Sequence, residues 1–277
     1  MSKLSEEMER RMRLRGLSPK TIKTYIAEVR QFTRYYGKSP DFLGDTEVQN
    51  YLSHLIEKRK LSRGKVICAH AGLRFFFEKT LERPWNTLKI PNMQKSKKLP
   101  VVLSKEKIYR IFSQVKNHKH LNILQLAYSS GLRISETLNL RIESIDSSRM
   151  VIHVHGGKGQ KDRLTVLSQK ALDDLRIYWK KEKPANYLFP GRYGENKPLS
   201  TRRLQDSFQK ACRAAGVLEH ATPHSLRHSF AVHLLESGCD ILQIQQLLGH
   251  TTLATTIKYL RVRSFEAYQF KNPFDHD

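Results

Sequence analysis

Cysteine is scarce in this sequence, and the few residues present are badly placed for cross-linking. Cys68, Cys212 and Cys239 are odd in number and far apart. They offer neither a disulfide framework nor a CxxC metal site, which fits a reducing compartment. No apolar run approaches membrane-spanning length, and the N-terminal MSKLSEEMERRMRLRG has no apolar stretch behind its charges. Neither secretion nor a membrane partner is therefore expected, and the expected location is cytoplasmic. There is no internal repeat and no low-complexity segment. The spacing GxxxxGK[ST] is missing too, which rejects a nucleotide-binding phosphate loop.

Acidic residues are outnumbered. Lys+Arg total 49 against 26 Asp+Glu, a formal net charge of +23. Residues 1–100 hold 22 Lys+Arg and 10 Asp+Glu, and the remainder 27 and 16, so both halves share the excess. A surplus spread in this way points to a polyanion, nucleic acid before any other. At 277 residues the chain is long enough for two domains with separate cores.

Residues 1–90 read as a small helical bundle. Ser18-Pro19 opens a helix that presents Ile22, Tyr25, Ile26, Val29, Phe32 and Tyr36 on one face and closes at Gly37. Asp45 or Thr46 opens a second, with Val48, Tyr51, Leu52, Leu55 and Ile56 inward, and a third pattern runs from 63 to 81. Lys20, Arg63 and Lys65, near the cluster Lys58-Arg59-Lys60, are candidate phosphate contacts, which position a protein on DNA without reading sequence. Their other reading is a solvated face. Residues 91–103 contain Pro91, Pro100 and the basic run QKSKK, and read as an extended linker. Residues 104–277 form the second domain. Ser104 caps a first helix, and a second, with Leu121, Ile123, Leu124 and Ala127, ends at Gly131. MVIHV (150–154) and RLTVL (163–167) alternate as strands joined by the glycine-rich HGGKGQKD. Helical patterns over 171–180 and 200–215 flank LFPGR, which reads as an ordinary loop.

Residues 221–261, ATPHSLRHSFAVHLLESGCDILQIQQLLGHTTLATTIKYLR, concentrate unusual polar residues between apolar helical segments. Thr222 and Pro223 start one helix, on which His224 and Arg227 share a face. Asp240 caps the next, with Ile241, Ile244, Leu247 and Leu248 as its apolar stripe. Gly249 stops it and presents His250, and Tyr259 lies near the end of a third segment opened by Thr251 or Thr252. Two imidazoles, a guanidinium and a phenol could thus converge on one anion. His224 and His228 at i, i+4 lack the intervening Glu and third ligand of a zinc motif, so no metal is expected.

The runs HSLRH and LLGHTTLATTIKYL resemble the C-terminal signature of tyrosine recombinases, the phage-type integrases and Xer-like enzymes. LSPKTIKTYIAEVRQFTRYYG is similar to the start of that family's core-binding domain, and SSGLRISETLNL to its first arginine motif. The resemblance implies a mainly helical fold: a SAM-like N-terminal bundle, then a mostly helical catalytic domain with a small antiparallel sheet. It implies catalytic roles for Arg133, Lys158, His224, Arg227, His250 and Tyr259. Lys158 matches the lysine that the family's β-hairpin carries to the cut site. Lys161 and Arg163 are near enough to compete for that position and are otherwise candidate DNA contacts. Glu136, three residues beyond Arg133, is a plausible partner to hold its guanidinium.

Residue types support the same chemistry. Charge builds on the non-bridging oxygens during phosphodiester transfer, and arginine offers a permanent charge with a planar fork of donors. Arg133 and Arg227 would fill that role, with His250 donating a third hydrogen bond. His224 would assist proton movement at the nucleophile, Tyr259, whose phenol nearby charges would help to ionise. Lys158 would protonate the departing sugar oxygen. Neither ATP nor a metal or other cofactor is expected. The resemblance adds a 3′-phosphotyrosine intermediate, a free 5′ hydroxyl and double-stranded DNA with paired half-sites. It also adds dimer and tetramer assembly on DNA and a nucleoid-associated, prokaryotic setting. The expected form is the minimal two-domain one. Two rivals are a type IB topoisomerase-like relaxing enzyme and a DNA-binding regulator that keeps the fold without chemistry. The tail, with Phe265, Tyr268, Phe270 and Phe274, would either fold back on its own domain or dock on a neighbouring protomer.

Overall fold

Residues 3–85, 99–156, 162–191 and 194–262 are described by the computed structural model, the side chains of 194–196 excepted. QKSKK, Lys158, Lys161 and the tail beyond Val262 lie outside the described residues. The chain divides into two compact units, Met1–Lys98 and Leu99–Asp277.

The first unit is a helical bundle of α1 (Lys3–Leu14), α2 (Pro19–Tyr36), α3 (Asp45–Glu57) and α4 (Arg63–Phe75), with a π-helical turn continuing α4 over Phe76–Thr80. Helix α2 starts and stops where its sequence says. Ser18 accepts from the Thr21 amide at 3.2 Å, Pro19 takes the first turn, and Gly37 closes the helix at φ +63°. Ile22, Val29 and Phe32 are buried, as are Val48, Tyr51, Leu52 and Leu55 of α3, but Ile56 is exposed. Two features escape the apolar pattern. Helix α1 forms from a highly charged stretch whose Met8 and Met12 are buried, with Leu4 packed beside them. Glu28 is buried at 1% exposure and pairs with Lys65, beside the close approach of α2 and α4. A Cβ on Gly72 would lie 3.4 Å from the Tyr25 backbone, so glycine sets that interhelical distance.

The second unit contains α5 (Lys105–Ser113), α6 (His118–Ser129), α7 (Ile134–Asn139), β1 (Ile145–Asp146), β2 (Val151–Val154) and β3 (Arg163–Val166). It continues with α8 (Gln169–Glu182), β4 (Pro190–Gly191), β5 (Gly194–Pro198), α9 (Thr201–Ala214), α10 (Pro223–Glu236), α11 (Ile241–Leu248) and α12 (Leu253–Ile257). The mainly helical class with small antiparallel sheets is as expected. LFPGR is not a plain loop, however: it contributes β4, which pairs with β5. The expected hairpin strands β2 and β3 pair antiparallel and gain β1 at the edge.

Helix α10 is the axis of this unit. Leu226, Phe230, Ala231, Val232 and Leu235 are all buried, so it is covered on nearly every side. It packs against α6, whose exit is shaped by Gly131 at φ +62°. A Cβ there would stand 2.4 Å from the Phe230 ring. Strand β3 inverts the usual burial pattern. Its apolar Leu164 and Val166 are about 40% exposed, while Thr165 is buried and donates to the Ser130 carbonyl at 2.8 Å. Register with β2 puts Arg163 opposite Val154, on the same inward face.

Gly131→Ala should destabilise the second unit by about 2–5 kcal/mol, combining about 1–2 for left-handed backbone with about 1–3 for overpacking. Thermal melting would show it as a fall of roughly 5–15 °C. An unchanged melting point would mean that the α6–α10 contact is looser than the Phe230 distance implies.

Candidate active site

The site is assembled where several helix ends meet. Arg133 caps α7, and three residues later Glu136 turns back on it. The carboxylate accepts the Arg133 amide at 2.8 Å and its guanidinium at 2.5 Å. Arg163, on β3, forks onto both Glu136 oxygens at 3.1 and 2.8 Å. Its Nε donates to the Leu247 carbonyl at 3.0 Å. Arg227, on α10, lies 3.6 Å from the same carboxylate. It donates to the carbonyls of Gly131 at 2.8 Å and Leu248 at 2.6 Å, satisfying groups left open beyond α6 and at the end of α11. Three cations thus surround one anion, and positive charge is in surplus.

The electrostatics follow from burial and neighbours. Burial works against the Glu136 charge, but the Arg163 hydrogen bonds, the Arg133 amide and both cations outweigh it and hold the carboxyl down to about 2. Arg227 is 1% exposed, and burial followed by the Arg133 charge lowers it to about 10. It remains cationic at neutral pH. Arg133 keeps about a quarter of its side chain open, a face that an incoming anion can reach.

Gly249 ends α11 at φ +61° and delivers His250. A Cβ on Gly249 would lie 2.6 Å from Arg163 Cδ, so glycine serves both the turn and the arginine's path. His250 Nδ1 is 2.8 Å from the Thr256 hydroxyl. Burial, then Arg227 and Arg133, push its pKa down to about 3, so the ring is neutral. In the tautomer that accepts from the Thr256 hydroxyl at Nδ1, the ring proton sits on Nε2, where it can be offered to an anion.

Tyr259 follows α12 in a turn, its amide donating to the Thr256 carbonyl at 2.9 Å. It is 1% exposed, its ring stacked on His250 with centroids 6.2 Å apart and planes at 20°. Lys258 Nζ lies 5.7 Å from the ring centroid. The nearby arginine charges favour ionisation of this phenol, as expected, but burial acts against them. Burial raises its pKa and outweighs the opposing Arg227 and Arg133 charges.

The structure therefore brings Arg133, Arg227, His250 and Tyr259 together, with His224 at the rim. His224 is exposed, yet partial desolvation, followed by the Arg227 and Arg133 charges, lowers its pKa. Arg163, expected on DNA, turns inward instead: it is 10% exposed and all three nitrogens are engaged within the protein. Its place on the buried face of β3, beside a carboxylate that needs cations, is the reason. Lys65 pairs with the buried Glu28, while Lys20 and Arg63 are exposed.

Sequence reasoning missed His228, considered only as half of a metal pair. Its Nδ1 lies 2.9 Å from the Tyr259 hydroxyl, and its ring meets His224 edge-on at 4.5 Å. The available signal was position: four residues beyond His224 and next to Arg227 on one helix.

Two family profiles match this chain: the phage integrase family over residues 101–265 and the phage integrase N-terminal SAM-like domain over 4–87. The putative integrase/recombinase y4qK of Sinorhizobium fredii is 42% identical, covering 99% of this chain and 89% of that protein. Tyrosine recombinase XerA of Thermococcus kodakarensis is 35% identical, covering 93% and 90%. Among solved structures, a lambda integrase (75–356) dimer bound to a COC′ core site superposes with TM-score 0.74 at 19% identity, covering 98% of each chain, a likeness of fold.

The depressed Glu136 carboxyl carries a pH signature. Its stabilising contribution, about 3 kcal/mol for a shift of this size, is complete above the ordinary 4.5 and is lost as pH falls toward about 2. Glu136→Gln should cost about 3–5 kcal/mol at pH 7, as expected for breaking a buried ion pair. Urea unfolding at pH 7, 4.5 and 3 should show the gap between parent and variant narrowing as the pH falls. A constant gap would remove the carboxylate from this role.

Proposed function

The chain belongs to the phage integrase family and is a tyrosine-type site-specific DNA recombinase; on that premise we propose that Tyr259 is its nucleophile and the Arg133–Glu136–Arg227 cluster its phosphate site. The observation that carries the assignment is the Tyr259 phenol, buried and stacked on His250 next to a surplus of positive charge. The type IB topoisomerase-like and regulatory readings are set aside because the matching relatives are recombinases.

In the proposed reaction a scissile phosphate settles against Arg133 and Arg227, whose charges oppose the build-up on its oxygens. Neutral His250 donates a further hydrogen bond from Nε2. The Tyr259 oxygen bonds to phosphorus as the bond to the 5′ oxygen breaks, leaving a 3′-phosphotyrosine and a 5′ hydroxyl. Lys158 remains the proposed donor of the leaving-group proton on sequence grounds. The ester conserves the energy of the broken bond, so a 5′ hydroxyl can reverse the step without ATP. Glu136 holds the two arginines in register, and Arg163 supports Glu136 from behind. Residues 1–90 and 104–277 are proposed to grip DNA as two bodies joined by the 91–103 linker, with Lys20 and Arg63 on phosphates. Paired half-sites, assembly into a dimer and then a tetramer, and work at a cytoplasmic nucleoid belong to the same proposal. No helix among the described residues is long and apolar enough to cross a membrane.

Tyr259→Phe should bind DNA as tightly as the parent and form no covalent adduct, read as a shifted band on a denaturing gel. Adduct at the parental level would remove Tyr259 from the role. Log affinity should fall steeply with log salt, because phosphate contacts release counterions. Adduct formation should persist in EDTA, since guanidinium groups supply the charge that a metal supplies elsewhere; loss on chelation would contradict this mechanism.

A further inference from the structure

Among the described residues, the polar atom against the Tyr259 hydroxyl is His228 Nδ1, at 2.9 Å. His224, one turn earlier on α10, makes no hydrogen bond to the phenol among the described residues, and touches His228 ring to ring at 4.5 Å. Building on the recombinase reading, we propose that His228 accepts the phenolic proton of Tyr259 as its oxygen bonds to phosphorus, and that His224 acts as a positioning residue for the His228 ring.

Enclosure makes this acceptor necessary. Tyr259 is 1% exposed, one side of its ring covered by His250, so the phenol has little direct access to solvent. The step balances: the Tyr259 oxygen–phosphorus bond forms, and the bond from phosphorus to the 5′ oxygen breaks with its electron pair on that oxygen. The phenolic proton passes to Nδ1, and a separate acid protonates the leaving oxygen. Rejoining returns the Nδ1 proton to the phenolate.

The groups around His228 couple this transfer to DNA. Burial lowers its pKa most, and His224, Lys258, Arg227 and His250 lower it further, to about 3. The DNA-free ring is therefore neutral; in the tautomer protonated on Nε2 its Nδ1 lone pair accepts the phenolic hydrogen bond, but it is too weak a base to take the proton. A phosphate held by Arg133 and Arg227 brings negative charge that offsets those cations and favours the imidazolium. An empty site leaves Tyr259 protonated; an occupied one supplies the base.

The test uses the full chain and a nicked suicide duplex carrying the site that the purified protein selects from random-sequence DNA. At saturating duplex, His228→Ala and His228→Gln should both form adduct about 10²–10⁴-fold more slowly than the parent, the usual worth of a general base. DNA affinity should stay within a few-fold. Added imidazole should speed His228→Ala in proportion to its concentration, and should not speed His224→Ala. A parental rate in His228→Gln, which keeps a hydrogen-bonding side chain but no base, would overturn the proposal. So would a slow His228→Ala that imidazole does not restore, which would make the role structural. If His228→Ala does not fold, His228→Gln decides. A parent that binds its selected duplex yet forms no adduct would overturn the recombinase reading itself, and this proposal with it.

Discussion

The proposed active site depends on one carboxylate being buried among three guanidinium groups. Glu136 is 8% exposed at its side chain, and Arg133, Arg163 and Arg227 approach it from α7, β3 and α10. A buried anion is tolerated only when paired and hydrogen-bonded, and a buried arginine needs the same. Each group therefore makes burial of the others possible. Arg227 further occupies carbonyls beyond α6 and at the end of α11, while Arg163 takes the Leu247 carbonyl. Helix ends, where carbonyl oxygens lack partners and the dipole is negative, are natural places to hold cations.

The cluster is also incomplete in an informative way. Among the described residues its positive surplus meets no second anion, and Arg133 stays partly open. The same surplus suppresses neighbouring histidines: His228 and His250 are both pushed down to about 3, burial leading and the cations adding to it. Tyr259 meanwhile is kept protonated by burial. In the DNA-free chain both imidazoles are thus neutral and the phenol protonated. In the proposed reaction an arriving phosphate would offset part of the positive field that these groups sense, so substrate binding and activation would draw on the same electrostatics.

Much of the fold was legible because local rules and global packing agree. Ser18, Pro19 and Gly37 bound α2 where capping chemistry puts them, and Asp240 and Gly249 do so for α11. The Arg133–Glu136 partnership was readable from a spacing of three residues beside a helix-ending glycine. Legibility failed where long-range contacts override pattern. Leu164 and Val166 look like the buried face of a strand but are exposed, because Thr165 and Arg163 are needed inside for the Ser130 carbonyl and Glu136. Glu28 reads as a surface residue on α2, yet α4 covers it and brings Lys65. Helix α1 carries its apolar stripe on Leu4, Met8 and Met12 alone, one residue per turn within a strongly charged stretch.

The sequence by itself determined the chemistry available: which residue types exist, at what helical spacing, and in a chain whose charge favours DNA. Spacing determines contacts only within a helix or a turn, where a few residues separate the partners. Tertiary structure decided the contacts between residues far apart in the chain. It turned Arg163, 27 residues from Glu136, inward onto that carboxylate. It also placed His228 rather than His224 against Tyr259, 31 residues away, because the packing of α10 against the turn after α12 determines which imidazole meets the phenol.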